Sequence, residues 1–181
     1  MIGDLQMEIS IERLKAADAD ALFTFELENR DYFEETVPSR GDDYYKPDIF
    51  KRNHEALLKE QTVGTSYFYL IKDQHNAIVG RINLVDITSA QKAAHLGYRV
   101  GKFYTGKGVA KRALQLLLEN VIANQNIKQI HAKTTTNNVA SRVILEKNGF
   151  AYMRADKETF EMNGQKLSFV YYRWTNKNFS C

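Results

Sequence analysis

Residues 99–114 read RVGKFYTGKGVAKRAL, and within them Gly101-x-x-x-x-Gly106-Lys107 falls one residue short of a nucleoside-triphosphate loop. That loop next requires Ser or Thr, whose hydroxyl holds magnesium beside the phosphates. Gly108 stands there instead and has no side chain to ligate a metal. No apolar strand ending in Asp follows to supply a second magnesium ligand; Asp86 ends a strand, but upstream. Two readings of the loop survive. One is a plain strand-to-helix turn, which also favours glycine. The other is a metal-free cradle for a diphosphate. Glycines let the backbone turn its N–H groups inward, and a helix N-terminus adds unpaired donors with partial positive charge.

The elements around this loop decide which scaffold carries it. Residues 7–14, MEISIERL, alternate as a strand, and 18–28 have helical apolar spacing. The segment 31–47 holds both prolines and four aromatics and reads as a loop with a short helix; 49–60 is an amphipathic helix. Strands are expected over 65–72, 77–87 and 93–101, the first two joined by the turn 73–76. Ala110, Ala113, Leu114, Leu117, Leu118 and Val121 then trace one helix face. A strand over 129–136 and a helix over 139–148 follow, with Gly149 as a left-handed cap. A last hairpin turns at Asn163-Gly164. The expected order is β-α-α-β-β-β-α-β-α-β-β. It describes an α/β chain, α+β in strict terms, with a mixed and mostly antiparallel sheet flanked by helices. A doubly wound nucleotide fold would alternate strand and helix throughout.

Bulk properties narrow the class. A length of 181 residues suits one domain spanning 1–181, and 44% hydrophobic with 26% charged residues is a soluble balance. The formal charge of +3 is too small to argue for direct nucleic-acid binding. No apolar run of membrane-spanning length or leader pattern occurs, so a cytoplasmic protein without membrane association is expected. The single cysteine, Cys181, excludes an intrachain disulfide, and His54, His75 and His131 share no ligand spacing, so no metal is expected.

The loop with its neighbours resembles the GNAT superfamily of acetyl-CoA-dependent N-acetyltransferases. That family carries Q/R-x-x-G-x-G/A at this point, and Thr105-x-x-Gly108-x-Ala110 matches its last two positions. Thr in first place, LGYRVG (96–101), NVASRVILEKNGF (138–150) and the closing hairpin are similar to the Rim-type branch, which acetylates N-termini of ribosomal proteins. The element order agrees across roughly residues 7–175.

The resemblance implies a GNAT fold and acetyl-CoA as co-substrate. Its diphosphate is expected on the backbone of Thr105, Gly106, Lys107, Gly108, Val109 and Ala110, with Lys107 or Lys111 either meeting phosphate or remaining solvated. The pantetheine arm is expected along the strand ending at Val100, whose N–H would face the thioester oxygen. Asn138 falls where the family holds that arm, although an N-cap is an equally good use of Asn, and Asn137 could take its place. Many relatives place a proton-donating Tyr where this chain has Leu145. Ser141 is the candidate donor in its stead, or else an ordinary first-turn serine. His95 is the candidate base, or else a strand histidine satisfied by backbone. Cys181 is too terminal to be a dependable nucleophile, which favours direct attack in a ternary complex.

The acceptor is expected over 31–47 and the last hairpin. Tyr32, Phe33, Tyr44 and Tyr45 would line its groove, and Asp31, Glu34 and Glu35 would draw in a cation. The expected reaction moves acetyl to a primary amine, foremost the N-terminal α-amine of a ribosomal protein. A polyamine or aminoglycoside acceptor, and a CoA-binding module without catalysis, are the alternatives. Either a monomer or a homodimer is compatible with the sequence.

Overall fold

The structure is a computed structural model that describes residues 7–124 and 126–180. It opens with strand β1 (Ile9–Arg13), then helices α1 (Ala19–Glu28), α2 (Arg30–Thr36) and α3 (Pro47–Val63). Strands β2 (Tyr67–Asp73), β3 (Ile78–Thr88) and β4 (Ala93–Val100) lead into α4 (Val109–Asn124). Then come β5 (Gln129–Thr135), α5 (Val139–Lys147), β6 (Ala151–Ala155), β7 (Phe160–Met162), β8 (Gln165–Leu167) and β9 (Phe169–Thr175).

Seven strands form one sheet in the order β1-β2-β3-β4-β5-β9-β6, and β7 with β8 form a separate two-stranded sheet. Among the described residues only β4 and β5 pair in parallel, as the crossover through α4 demands. The expected final hairpin is present, with its arms divided into two paired stretches. The Asn163-Gly164 turn, with φ of 50° and 75°, joins the short pair β7–β8, while β6 pairs with β9 across it. Both turn residues are left-handed, which is the twist a two-residue hairpin loop prefers.

Helices cover both faces of the sheet. On one, Leu114, Leu117 and Val121 of α4 pack against Val79, Ile82, Leu84, Ala94 and Ile130. On the other, Leu22, Phe25, Phe33 and Phe50 pack against Phe68 and Leu70. β2 is buried from Phe68 to Lys72 because it serves both cores, sending Tyr69 and Ile71 one way and Phe68 and Leu70 the other. Each fully buried leucine here contributes about 1.5–3 kcal/mol. Pro47 starts α3, where its missing N–H costs nothing, and Gly64 at φ 84° ends it. The Gln61 side chain donates to Leu14 O and accepts from Phe68 N–H, which locks α3 to the sheet.

Candidate active site

Strands β4 and β5 pair only from Ala93 to His95, opposite Gln129 to His131. Beyond His95 they part, leaving Leu96 to Val100 without a partner on that side. Register shows what this edge presents. Gly101 N–H donates to Val79 O at 2.9 Å, so position 101 bonds toward β3. Antiparallel bonding alternates, so the peptide groups of Val100, Tyr98 and Leu96 turn the other way, into the gap. The gap is thus bordered by an unpaired strand edge ready to bond an extended ligand.

At the mouth of the gap the chain makes a short 3-10 turn, Lys102–Tyr104, and enters α4. Gly106 and Gly108 both have positive φ, 73° and 75°. A Cβ built at Gly106 would meet nothing within 4 Å. Arg112 N–H reaches back to Gly108 O, so Val109, Ala110 and Lys111 carry the helix's unpaired first amides. Thr105 to Gly108 and Lys111 are exposed, and Thr105 uses its hydroxyl to donate to Lys102 O. Lys107 Nζ lies 5.7 Å from the Tyr104 ring centroid. Asn29, at the junction of α1 and α2, accepts from Lys102 N–H at 2.9 Å and so ties this mouth to the opposite face of the sheet.

On the α4–α5 side of the gap, Asn138 caps α5 by accepting from Ser141 N–H at 3.1 Å, which leaves its amide nitrogen to donate elsewhere. Asn137 is bound instead to Thr135 and Gln165. The Ser141 hydroxyl sits 2.8 Å from the Tyr98 hydroxyl, a bond from β4 to the start of α5. Burial raises the Tyr98 pKa above that of a free phenol, opposed by the bond to Ser141. Sequence reasoning gave Tyr98 no catalytic role. The signal was available, since Tyr98 alternates in phase with Leu96 and Val100 and so faces α5. Leu145, where many relatives have Tyr, is a core residue at 1% exposure.

His95 lies on the other face, the side of α1 to α3. It is the last paired residue before the strands part, is exposed, and its ring lies tilted against that of His131, with centroids 5.5 Å apart. Burial, then the charges of His95 and Arg173, lower the His131 pKa. Gly97, next on the same face, has nothing within 4 Å of a built Cβ, so open space adjoins the gap there. His95 is three residues from Tyr98, about 10 Å along the strand. The structure therefore brings Ser141 together with Tyr98 and puts His95 across the sheet from both.

Two further features on this face were not read from the sequence. Glu26 of α1 is fully buried between Arg81 of β3, at 2.7 Å, and Arg99 of β4, at 3.3 Å. A cavity of about 580 Å³ lies between α3 and β3, with Arg40, Tyr44, His54, Arg81, Asn83 and Val85 in its lining. The aromatic groove expected over 31–47 is corrected in part. Tyr44 lines this cavity, but Phe33 is core, capped by the Arg99 guanidinium at 4.7 Å. Tyr45 is buried beneath Arg30, and Tyr32 packs half-buried against the same core. Tyr32 and Phe33 are drawn inward because α2 continues α1 and turns its apolar side to the sheet. Glu34 is paired with Arg30, whereas Asp31 and Glu35 flank exposed surface.

A parallel pair that opens beside a glycine-lined helix start defines a class of protein that lays an extended, phosphate-bearing ligand against a strand edge. The sequence model of the acetyltransferase (GNAT) domain matches residues 8–151, and the chain belongs to that family. It is an enzyme that transfers acetyl from acetyl-CoA to an amine. The chain is similar to a probable N-acetyltransferase, YjcK, of Bacillus subtilis (strain 168), at 27% identity over 161 residues, 86% of this chain and 87% of that one. It is 25% identical over 150 residues to the [ribosomal protein uS5]-alanine N-acetyltransferase of Escherichia coli (strain K12), covering 82% and 77% of the two chains. The solved structure of RimL, a ribosomal L7/L12 α-N-protein acetyltransferase in complex with coenzyme A, superposes with a TM-score of 0.84 at 20% identity, over 94% and 95% of the chains.

Proposed function

We propose that this enzyme acetylates the N-terminal α-amino group of a protein, foremost a ribosomal protein, by direct attack across the gap between β4 and β5. The observation that carries this reading is the opposition of two faces at one opening. The Tyr98–Ser141 hydroxyl pair lies on one side, His95 and open space at Gly97 on the other, and the free peptide edge 96–100 lies between.

Acetyl-CoA seats its diphosphate on the amides of Thr105 to Ala110 and pairs its pantetheine arm with the edge of β4. Asn138 donates its amide to that arm. The Val100 N–H faces the thioester oxygen and stabilises the negative charge gained there on attack. The amine enters from the His95 side. His95 removes the ammonium proton through water and the nitrogen–carbon bond forms; the nitrogen then gives its second proton to solvent water, which replaces the proton the Tyr98–Ser141 pair spends, and the carbon–sulfur bond breaks. The departing thiolate takes a proton from the Tyr98–Ser141 pair. A free thiol has a pKa of about 8.5, so this donor need not be strong. An α-amine, at about 8, is roughly one-tenth neutral at pH 7, whereas a lysine near 10.4 is neutral less than about once in a thousand. A single exposed histidine suits the α-amine far better. The uS5-alanine and L7/L12 enzymes among the relatives support the ribosomal target.

The test is intact-mass analysis of peptides bearing ribosomal-protein N-termini after incubation with acetyl-CoA, beside spermidine and aminoglycosides. A gain of one acetyl on the α-amine of a peptide is expected. Modification of the small amines alone would overturn the assignment.

A further inference from the structure

The cavity between α3 and β3 lies one strand away from the proposed amine entrance. Asn83 and Val85 in its lining pair directly with Gly97 and His95, so they lie about 5 Å from those residues on the same face. Whatever extends from the amine therefore reaches this cavity first.

Its polar groups specify a ligand. The Arg40 guanidinium donates to the Tyr44 hydroxyl oxygen at 2.5 Å, and Arg81 donates to the same oxygen at 3.4 Å. A hydroxyl that accepts twice turns its own proton outward, and no acceptor for it is found among the described residues. Charge points the same way. Arg40 and Arg81 are the charged groups of the lining, and Glu26 behind Arg81 is shared between Arg81 and Arg99, so this wall carries about one positive charge in excess. On the adjoining loop Glu34 and Asp42 share Arg30 and Asp43 pairs with Lys46, so these carboxylates are turned to partners other than Arg40 and Arg81. Two acceptors await donors as well. His54 is 3% exposed, and its Nε2 faces Lys15 O at 2.9 Å. Nε2 must therefore donate, which makes Nδ1 the lone-pair acceptor, and Nδ1 has no partner. Asn83 Oδ1 is buried and unpartnered too.

We infer that the cavity selects an acceptor that is anionic beyond its amine, namely a peptide N-terminus with an acidic side chain in its first few residues. The carboxylate meets Arg40 and the Tyr44 O–H, backbone N–H groups of the peptide serve the polar wall at His54 and Asn83, and its aliphatic stem lies against Phe50 and Phe68. A polyamine or aminoglycoside would bring further cations to a wall that is already positive. The inference rests on the acyltransferase reading of the gap and narrows its substrate.

Peptides identical except for Glu, Gln or Lys at the second or third position test it, compared by kcat/KM from thiol release and by calorimetric binding in the presence of CoA. The Glu peptide is expected to exceed Gln, and Gln to exceed Lys, by about fivefold at each step. Arg40 is exposed, so Arg40→Glu should fold and invert the order. A flat or reversed order in the unaltered enzyme, or an order indifferent to Arg40→Glu, overturns the inference. Free glutamate used as well as the Glu peptide overturns the peptide assignment. If no acceptor releases thiol yet the binding order holds, the cavity's preference stands and the acyltransferase reading fails.

Discussion

Glu26 offers a quantitative test of how the two faces are held in register. Its carboxylate is fully buried, and the side chains of Arg81 and Arg99 are 5% and 18% exposed. Glu26→Ala removes the anion and leaves two guanidinium groups facing one another in a space water reaches poorly. Breaking a buried pair by deleting one partner costs about 3–5 kcal/mol, because the remaining charge stays desolvated. The total stability of a domain is about 5–15 kcal/mol, so about a fifth or more of it is at stake. For a chain of this size each kcal/mol shifts Tm by about 2–4 °C, giving a fall of roughly 6–20 °C. Glu26→Gln keeps an acceptor for one arginine and should lose about half as much. Differential scanning calorimetry reads both. A fall under about 2 °C in Glu26→Ala would show that the arginines are solvated without their partner, and the reasoning from burial would fail.

Gly108 has φ 75°, so Gly108→Val both strains the backbone and puts bulk over the cradle; CoA affinity by calorimetry should fall at least about tenfold. Tyr98→Phe should lower kcat by about 10² with CoA affinity nearly unchanged, as stopped-flow thiol release will show. Burial raises the Tyr98 pKa, so the phenol stays protonated and the rate should show no alkaline limb from it below about pH 9.5. The folded pKa of His131 is lowered, so its neutral form contributes stability that is full above the unfolded value of about 6.5. That contribution is lost as pH falls toward the folded pKa. His131→Gln should therefore flatten the decline of Tm as pH falls below about 6.5.

The local signals that survive in a linear chain were those carried by backbone demands. Gly106 and Gly108, the Asn138 cap, Gly149 and the α4 stripe from Ala113 to Val121 were all readable, because left-handed φ, capping and 3.6-residue spacing leave traces in sequence. Pairings set by distance through space were not. Nothing local to Glu26 announces two arginines 55 and 73 residues away. The Tyr98–Ser141 bond depends on where β4 and β5 part, which no propensity encodes. Tyr44 and Tyr45 are adjacent and chemically alike. One lines the cavity and the other is buried because Arg30 covers Tyr45, a contact fixed only once α2 packs. The final hairpin was legible at Asn163-Gly164, but the break at 156–159 that divides its arms into β6–β9 and β7–β8 was not.

The central claim is that the open edge of β4 and the glycine-lined start of α4 receive acetyl-CoA. Backbone amide resonances followed by NMR during titration with CoA test it most directly. The account predicts that the amides of Gly106, Gly108, Val109 and Ala110 shift together with those of Leu96, Tyr98 and Val100, at one saturating concentration. Shifts confined to other parts of the sheet, with both of these groups unmoved at saturation, would contradict it.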